Sequence, residues 1–217
     1  MEHKKYLFIS GTSESGKSYA SKYLESIIPR SIHIKMRDVL WRLYKEKNNK
    51  LEYYKWMKYE EKNNPFDFWS SFIEIANAMS EDKKVVIMDT LHGKDSIFQL
   101  YEILGEQLNL LYIDAQFELR VCREYNKIIK SNKYIDYNEL LHIVKRKDEE
   151  KVKMGLLELK YLVYDINKNL RVDYKMENTS FTYVIENDGT LDEFHERLNT
   201  FASDYIDNSK VFIIKKW

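Results

Sequence analysis

The stretch Gly11-Thr-Ser-Glu-Ser-Gly16-Lys17-Ser18 decides the fold class of this chain. The apolar run Tyr6-Leu-Phe-Ile9 precedes it and is typical of a buried strand, and residues 19–28 after it have the pattern of a helix. A strand, a glycine-bounded loop, Lys-Ser and a helix in this order are the phosphate-binding P-loop in its expected context. The sequence therefore predicts an α/β protein that binds a phosphate group at the start of its first helix.

The residue types of this loop suit phosphate. Gly11 and Gly16 permit backbone angles and a close approach that a Cβ would hinder, and loop N–H groups can surround phosphate oxygens at the positive end of a helix dipole. Lys17, expected to face solvent, can reach β and γ phosphates, and the Ser18 hydroxyl can ligate Mg²⁺. The alternative is a chance match in an ordinary turn between a strand and a helix. The predicted nucleotide-binding residues are Gly11, Thr12, Ser13, Glu14, Ser15, Gly16, Lys17, Ser18 and Tyr19.

Length and composition restrict the class of protein. The chain has 217 residues, of which 44% are hydrophobic, enough for one α/β domain with a buried core. Its 35 basic and 35 acidic residues cancel, which argues against a protein built mainly to hold nucleic acid, although a local basic groove fits this balance. The single cysteine, Cys122, fits a reducing compartment, and no apolar run approaches the roughly 20 residues that span a membrane. We therefore expect a cytoplasmic protein without a signal peptide, and an inert, buried Cys122 thiol.

Further strands are predicted from short apolar or alternating runs. The run Lys84–Asp89 ends in a carboxylate, which is the second signature of P-loop proteins, where this carboxylate holds Mg²⁺ directly or through water. The predicted metal ligands are therefore Ser18 and Asp89. The predicted strands after the first are 31–35, 84–89, 108–114 and 181–186, with 211–214 as a candidate edge strand. The predicted helices begin near 39, 96, 117, 138 and 190, and the one from 138 extends to 162.

Several polar residues follow the carboxyl ends of predicted strands, where ligands collect in open α/β sheets. Arg37, Asp38 and Arg42 follow the second strand, and His92 lies in the loop after Asp89. We take them as candidates to bind the phosphoryl acceptor. The alternatives are a helix-start carboxylate for Asp38, surface positions for the arginines, and a loop histidine with no chemical role.

Two helical regions are predicted to cover this edge of the sheet. Residues 40–80 are polar and aromatic, and most rings are expected in the core, with stacking on a base as the alternative for some. Residues 120–155 carry Arg120 and Arg123 on one helical face, a flexible basic segment, and then Arg146. A closing lid over phosphates requires such a segment, and the alternative is a solvated charged surface.

Six segments stand in an order that resembles the nucleoside monophosphate kinase and dephospho-coenzyme A kinase branch of P-loop proteins. They are Gly11–Ser18, Arg37-Asp38, Val86-Ile-Met-Asp89, Arg120 with Arg123, Arg146-Lys-Asp148 with Gly155-Leu156, and Val184-Ile-Glu-Asn-Asp-Gly-Thr-Leu191. The matching segments are short and spread over most of the chain, and only the P-loop is a highly specific motif. Two departures concern the acceptor. His92 stands where related proteins often have an arginine, and residues 163–180 form an insertion before the last strand.

The resemblance implies a three-layer α/β/α fold with a parallel five-stranded sheet, formed by residues 1–217 as a single P-loop kinase domain. It implies a helical acceptor-binding region at about 40–80 and a lid at about 120–155. ATP and Mg²⁺ would bind at the P-loop, and phosphoryl transfer would depend on positioning and charge neutralisation. The implied catalytic residues are Lys17, Asp38, Asp89, Arg120 and Arg123. The implied substrate-binding residues are Arg37, Asp38, Arg42, His92 and Arg146.

We expect phosphoryl transfer from ATP to a nucleoside monophosphate or similar nucleotide. The alternatives are a dephospho-coenzyme A type of kinase that phosphorylates a ribose hydroxyl, a kinase for an oligonucleotide or modified nucleic acid, and a nucleotide-dependent switch. Against a GTPase switch, Asp89-Thr-Leu-His-Gly93 is one residue too long for Asp-x-x-Gly. A small-molecule nucleotide is therefore the expected partner and nucleic acid the less favoured one. The sequence does not indicate an oligomeric state.

Overall fold

Five parallel strands form the centre of the protein. The structure is a computed structural model that describes residues 4–47, 50–91, 93–167 and 182–207. Its strands are β1 Lys5–Ser10, β2 Ser31–Lys35, β3 Val85–Asp89, β4 Leu108–Asp114 and β5 Thr182–Glu186. They pair in the order β2-β3-β1-β4-β5. The central strand β1 is fully buried from Leu7 to Ile9, because a parallel sheet is covered by helices on both faces.

Helices connect the strands and cover the sheet. They are α1 Lys17–Ile27, α2 Met36–Glu46, α3 Tyr53–Asn63, α4 Pro65–Ser80, α5 Lys94–Leu104, α6 Phe117–Lys130, α7 Tyr137–Lys153, α8 Leu156–Asn167 and α9 Leu191–Asp207. A 3₁₀ turn at Gly105–Gln107 leads into β4. Within the described ranges, no helix combines the length and the apolar character that crossing a bilayer requires.

Side chains of β1 alternate between two cores, one on each face of the sheet. Tyr6 and Phe8 pack in a core with residues of α2, α3, α4, α5 and α8, and Leu7 and Ile9 pack in a second core with residues of α1 and α9. The helices therefore form a layer on each side of the sheet. This confirms the predicted three-layer α/β/α fold with a parallel five-stranded sheet.

The aromatic helices after β2 divide their rings between core and surface. Trp56, Trp69 and Phe72 are buried, as predicted for most rings of the region. Trp41 and Tyr54 instead keep 45% and 71% of their surface exposed. The region therefore stabilises the fold through one set of rings and leaves another set at the surface.

Some predicted elements differ from the structure. The helix predicted from 138 to 162 is two helices, which separate at Gly155, where φ is +91° and a side chain would be strained. The flexible basic segment was predicted from Lys127 to Tyr137, but α6 continues to Lys130, so the beginning of that segment is helical. Cys122 is exposed, since α6 turns Val121 into a core and its neighbour outward, so the expectation of a buried thiol is wrong. The candidate strand 211–214 and residues 168–181 lie outside the described residues.

Candidate active site

The two P-loop glycines stand where a side chain would collide with the chain. At Gly11, φ is +142° and a Cβ would lie 2.1 Å from the carbonyl oxygen of Ile113 in β4. At Gly16, φ is +107° and a Cβ would lie 2.5 Å from Nδ2 of Asn187. Both distances are far inside van der Waals contact, so the loop can follow this path only with glycine at each position.

Asn187 fastens the P-loop to the end of β5. Its side-chain Nδ2 donates a hydrogen bond to the Ser15 carbonyl oxygen at 2.8 Å, and its backbone N–H donates to the Asp114 carbonyl oxygen at 2.7 Å. The side chain is buried, with 6% of its surface exposed. The segment Asn187-Asp-Gly189 after β5 therefore also shapes the phosphate-binding loop.

Lys17 is buried, in contrast to the expectation that it faces solvent. Only 7% of its surface is exposed, and Nζ donates a hydrogen bond to the Thr12 carbonyl oxygen at 2.5 Å. Burial, and then the charge of Lys151, lower the pKa of Lys17 to about 7, against the opposing charges of Glu14 and Asp89. Burial and a neighbouring cation therefore favour the uncharged form of this lysine, and a bound anion would favour the charged form.

Ser18 and Asp89, the predicted metal ligands, lie side by side. The Ser18 hydroxyl donates a hydrogen bond to Asp89 Oδ2 at 3.2 Å, because the pairing of β3 with β1 brings Asp89 to the P-loop. His33 of β2 places Nε2 3.6 Å from the same oxygen. Burial raises the pKa of the Asp89 carboxyl, but His33, Ser18 and Lys35 outweigh burial, and its pKa lies below the ordinary value. Asp89 is therefore ionised at neutral pH and suited to a hard cation.

The residues of this site fit nucleotide phosphates and Mg²⁺. Thr12 Oγ1 and Ser15 Oγ are buried in the P-loop and find no hydrogen-bond partner in the part of the chain that the structure describes. Buried polar atoms of this kind indicate a group supplied from outside the chain. No cluster of three or more His, Cys, Asp or Glu suited to a metal occurs among the described residues. Ser18 and Asp89 would therefore hold Mg²⁺ together with phosphate oxygens and water, as this ion prefers.

The fold is similar to those of solved structures. A putative kinase from Chloroflexus aurantiacus is 12% identical, with a TM-score of 0.50 over 97% of this chain and 100% of that one. A gluconokinase from Sinorhizobium meliloti is 11% identical, with a TM-score of 0.49 over 97% and 100%. A shikimate kinase from Acinetobacter baumannii, in complex with shikimate, is 14% identical, with a TM-score of 0.47 over 97% of each chain. No family model matches the chain, and no curated protein matches its sequence. At such identities the likeness concerns the fold alone.

Arg120, a predicted lid residue, is bound to the protein itself. Its guanidinium donates to the carbonyl oxygens of Ala115 and Ser13, each at 3.1 Å, and to Asp148 Oδ2 at 2.6 Å. The other oxygen of Asp148 accepts a hydrogen bond from the Ser13 N–H at 3.3 Å. Arg120 and Asp148 together therefore hold α6 and α7 against the P-loop.

Arg123 also contacts the P-loop through backbone acceptors. It donates to the Asn187 carbonyl oxygen at 2.7 Å and to the Glu14 carbonyl oxygen at 3.4 Å. Both predicted lid arginines of α6 thus reach the loop through hydrogen bonds to protein oxygens. Arg146 is exposed on α7, one to two residues from Lys147 and Asp148, which face α6 and the P-loop.

Two acceptor candidates at the start of α2, Arg37 and Asp38, lie at the same edge of the sheet as the metal ligands. The pairing of Lys35 with Asp89 brings the end of β2 beside that of β3, and α2 begins directly after it. Arg37 and Asp38 are exposed, with Arg37 Nε 3.9 Å from Asp38 Oδ1, and Arg42 is exposed as well. The structure thus places three acceptor candidates on one helix. The fourth, His92, lies outside the described residues.

The loop after β3 contacts the turn between α7 and α8. Thr90 has a φ of +85°, which is rare for a β-branched residue, and such strain is concentrated at functional sites. A Cβ on Gly93 would lie 3.2 Å from the Met154 carbonyl oxygen, and one on Gly155 would lie 3.2 Å from the Gly93 Cα. Gly93, just before α5, and the turn after α7 therefore pack directly on each other.

Sequence reasoning missed three residues of this site. They are His33 beside Asp89, Asn187 in its contact with the P-loop, and Lys151 beside Lys17. A signal existed for His33, because it lies between Ile32 and Ile34 in an alternating strand next to the strand that ends in Asp89. For Lys151 the signal was its spacing of three residues from Asp148, which puts both on one helical face.

Proposed function

We propose that this chain is an ATP- and Mg²⁺-dependent kinase that transfers a phosphoryl group to a nucleoside monophosphate or a similar nucleotide. The proposal includes the division predicted above: residues 1–217 as one kinase domain, an acceptor-binding region at about 40–80 and a lid at about 120–155.

One observation carries this proposal: the P-loop lysine, its serine and the acidic end of β3 meet at one point. Lys17 is buried at the start of α1, and the Ser18 hydroxyl lies 3.2 Å from the Asp89 carboxylate. A phosphoryl transfer site needs a cation toward the β and γ phosphates and oxygen ligands for Mg²⁺, and both are present here. When bound, Mg²⁺ supplies charge neutralisation across the phosphate oxygens.

The other residues hold this arrangement in place. Asn187 and Arg120 fix the path of the P-loop from its two sides, which keeps its N–H groups oriented toward the ligand. Lys17 stabilises the negative charge on the transferred group, and the enclosed position of its side chain strengthens that interaction. Asp89 holds the metal, and His33 beside it orients the carboxylate.

A nucleotide as acceptor is supported by the surface of α2 and α3. Arg37 and Arg42 offer cations for an acceptor phosphate, because both are exposed, and Arg37 follows the end of β2 that pairs with Asp89. Trp41 is 45% exposed and lies 5.3 Å from Tyr53, centroid to centroid, so a flat base has rings to stack on. Cations beside exposed rings suit a ligand with one phosphate and one base.

A hydroxyl acceptor, as in a dephospho-coenzyme A type of kinase, is the second candidate. The observation that favours it is Asp38, whose exposed carboxylate lies in the first turn of α2 beside Arg37. A hydroxyl has a proton to lose, and a carboxylate in this position is a suitable base. A phosphate acceptor is already ionised and does not need one.

A screen with radiolabelled ATP and Mg²⁺ tests the proposal. The acceptors are nucleoside monophosphates, dephospho-coenzyme A and short oligonucleotides, and transferred label is separated by chromatography. Label on a nucleoside monophosphate supports the proposal, and label on dephospho-coenzyme A supports the second candidate. Label on an oligonucleotide alone would reject both, and a failure of the protein to bind ATP would reject kinase activity altogether.

A further inference from the structure

Lys151 of α7 is a second lysine at the phosphate site. Its amino group lies within hydrogen-bonding reach of the amino group of Lys17. Its place on the helix explains this contact, because Asp148 stands one turn earlier on the same face and binds the Ser13 N–H. The helix α7 therefore directs one carboxylate to the backbone of the P-loop and one ammonium group to its lysine.

When both amino groups are protonated, the two lysines repel each other as long as no anion lies between them. The carboxylates that attract Lys151 are Asp148 and Glu14, and both are already engaged. Asp148 accepts hydrogen bonds on both oxygens, and Glu14 Oε1 accepts one from Lys127 at 3.3 Å. A multiply charged anion between the two lysines would turn this repulsion into attraction.

The two arginines of the proposed lid, Arg120 and Arg123, already form hydrogen bonds within the protein. The contacts of Arg120 and Arg123 are with backbone oxygens and Asp148, so releasing either of them would cost hydrogen bonds that hold the P-loop. We propose that Lys151 is the lid cation of this protein and that it binds the terminal phosphate of the P-loop nucleotide together with Lys17. This inference rests on the proposed function, because it assigns a role within the same ATP site.

Calorimetric titration of two Mg²⁺-bound nucleotides tests the role of Lys151. One is a non-hydrolysable ATP analogue and the other is ADP, which lacks the terminal phosphate. A charge-assisted hydrogen bond lost in Lys151→Met should weaken binding of the ATP analogue roughly ten- to a hundredfold. ADP binding should change far less, and Lys151→Arg should restore most of the affinity. Lys130→Met, which removes an exposed lysine from the same lid region, is the matched control and should bind both nucleotides like the wild type.

Urea unfolding of the ligand-free proteins separates this role from a structural one. At pH 6, where Lys17 carries its proton, removal of one of two repelling charges should make Lys151→Met more resistant to urea than the wild type. Loss of a structural contact would make it less resistant. Unchanged binding of the ATP analogue by Lys151→Met, or equal losses for both nucleotides, would overturn the Lys151 assignment and leave the proposed function intact. A wild-type protein that binds neither nucleotide would overturn the proposed function and this inference with it.

Discussion

Lys17 is an ionisable side chain in a buried site, and its contribution to the free energy of unfolding depends on pH. Its pKa of about 7 in the folded protein lies below the ordinary lysine value of 10.5, so the unfolded chain holds the extra proton between these values. The free energy of unfolding should therefore rise as the pH increases through this window, by up to about 1.4 kcal/mol per pH unit. Lys17→Met should remove this increment from urea unfolding curves at pH 7, 8 and 9. Lys22→Met, at an exposed position of α1, is the control and should show the same rise with pH as the wild type. If the free energy of unfolding rises equally with pH in the wild type, Lys17→Met and Lys22→Met, the lowered pKa of Lys17 is contradicted.

Asp89 should act through the metal. We expect Asp89→Asn to weaken ATP binding in the presence of Mg²⁺ by roughly 10²-fold, the order found when one charge-stabilising group is removed. Binding in EDTA should change little, because the amide keeps the shape of the carboxylate and accepts the Ser18 hydrogen bond. Calorimetric titration under both conditions measures the two effects. Losses of the same size with and without Mg²⁺ would indicate a structural role.

Asp38 distinguishes the two acceptor types. With a hydroxyl acceptor, Asp38→Asn removes the base, and kcat should fall by about 10²- to 10⁴-fold. With a phosphate acceptor, the same change disturbs the position of Arg37 instead, and KM should rise while kcat stays close to wild type. Steady-state kinetics with the best acceptor of the screen decides between them. If neither constant changes, Asp38 does not belong to the acceptor site.

The helix α7 is held to the P-loop by one carboxylate. Asp148 binds Arg120 at 2.6 Å, in a pair whose side chains are 19% and 7% exposed, and it also binds the Ser13 N–H. Asp148→Ala leaves the buried Arg120 without its partner, which should lower the free energy of unfolding by roughly 3 kcal/mol. Glu149→Ala, at the exposed position next to it, serves as control and should be near neutral. Equilibrium urea unfolding measures both, and similar small effects would show that α7 is held by other contacts.

The molecule should unfold as one unit if residues 1–217 are a single domain. Trp56 of α3 is fully buried and packs between Tyr44 and Phe68, at centroid distances of 5.3 and 5.8 Å, in the core shared with the sheet. Trp56→Ala should therefore lower stability by about 3 to 5 kcal/mol and shift the single thermal transition as a whole. Trp41→Ala, at a 45% exposed position, is the control for loss of an indole and should shift it little. A separate early transition in Trp56→Ala would indicate that the helical acceptor region is a domain of its own.

Local signals made much of the fold predictable. The strands Ser31–Lys35 and Leu108–Asp114 were predicted with their observed bounds. Their signals, an alternation of polar and apolar residues and an apolar run, lie within each segment itself. The P-loop was predictable for the same reason, because its two glycines, lysine and serine all lie within the short stretch Gly11–Ser18. The break between α7 and α8 at Gly155 was not predictable, because a glycine permits a left-handed turn without requiring one. The close packing of this turn against Gly93 depends on the tertiary structure.

The sequence alone therefore determined the sheet, its covering helices, and the phosphate loop with Ser18 and Asp89 as neighbours. The tertiary structure decided that Lys17 is buried and that Arg120 binds Asp148, and it paired Lys17 with Lys151. The physical reason is distance along the chain. Ser13 and Asp148 are 135 residues apart, and Asn187 lies 172 residues from Ser15, so no local pattern encodes either contact. Helical periodicity places Asp148 and Lys151 on one face of α7, but only the packing of that helix determines which face meets the P-loop.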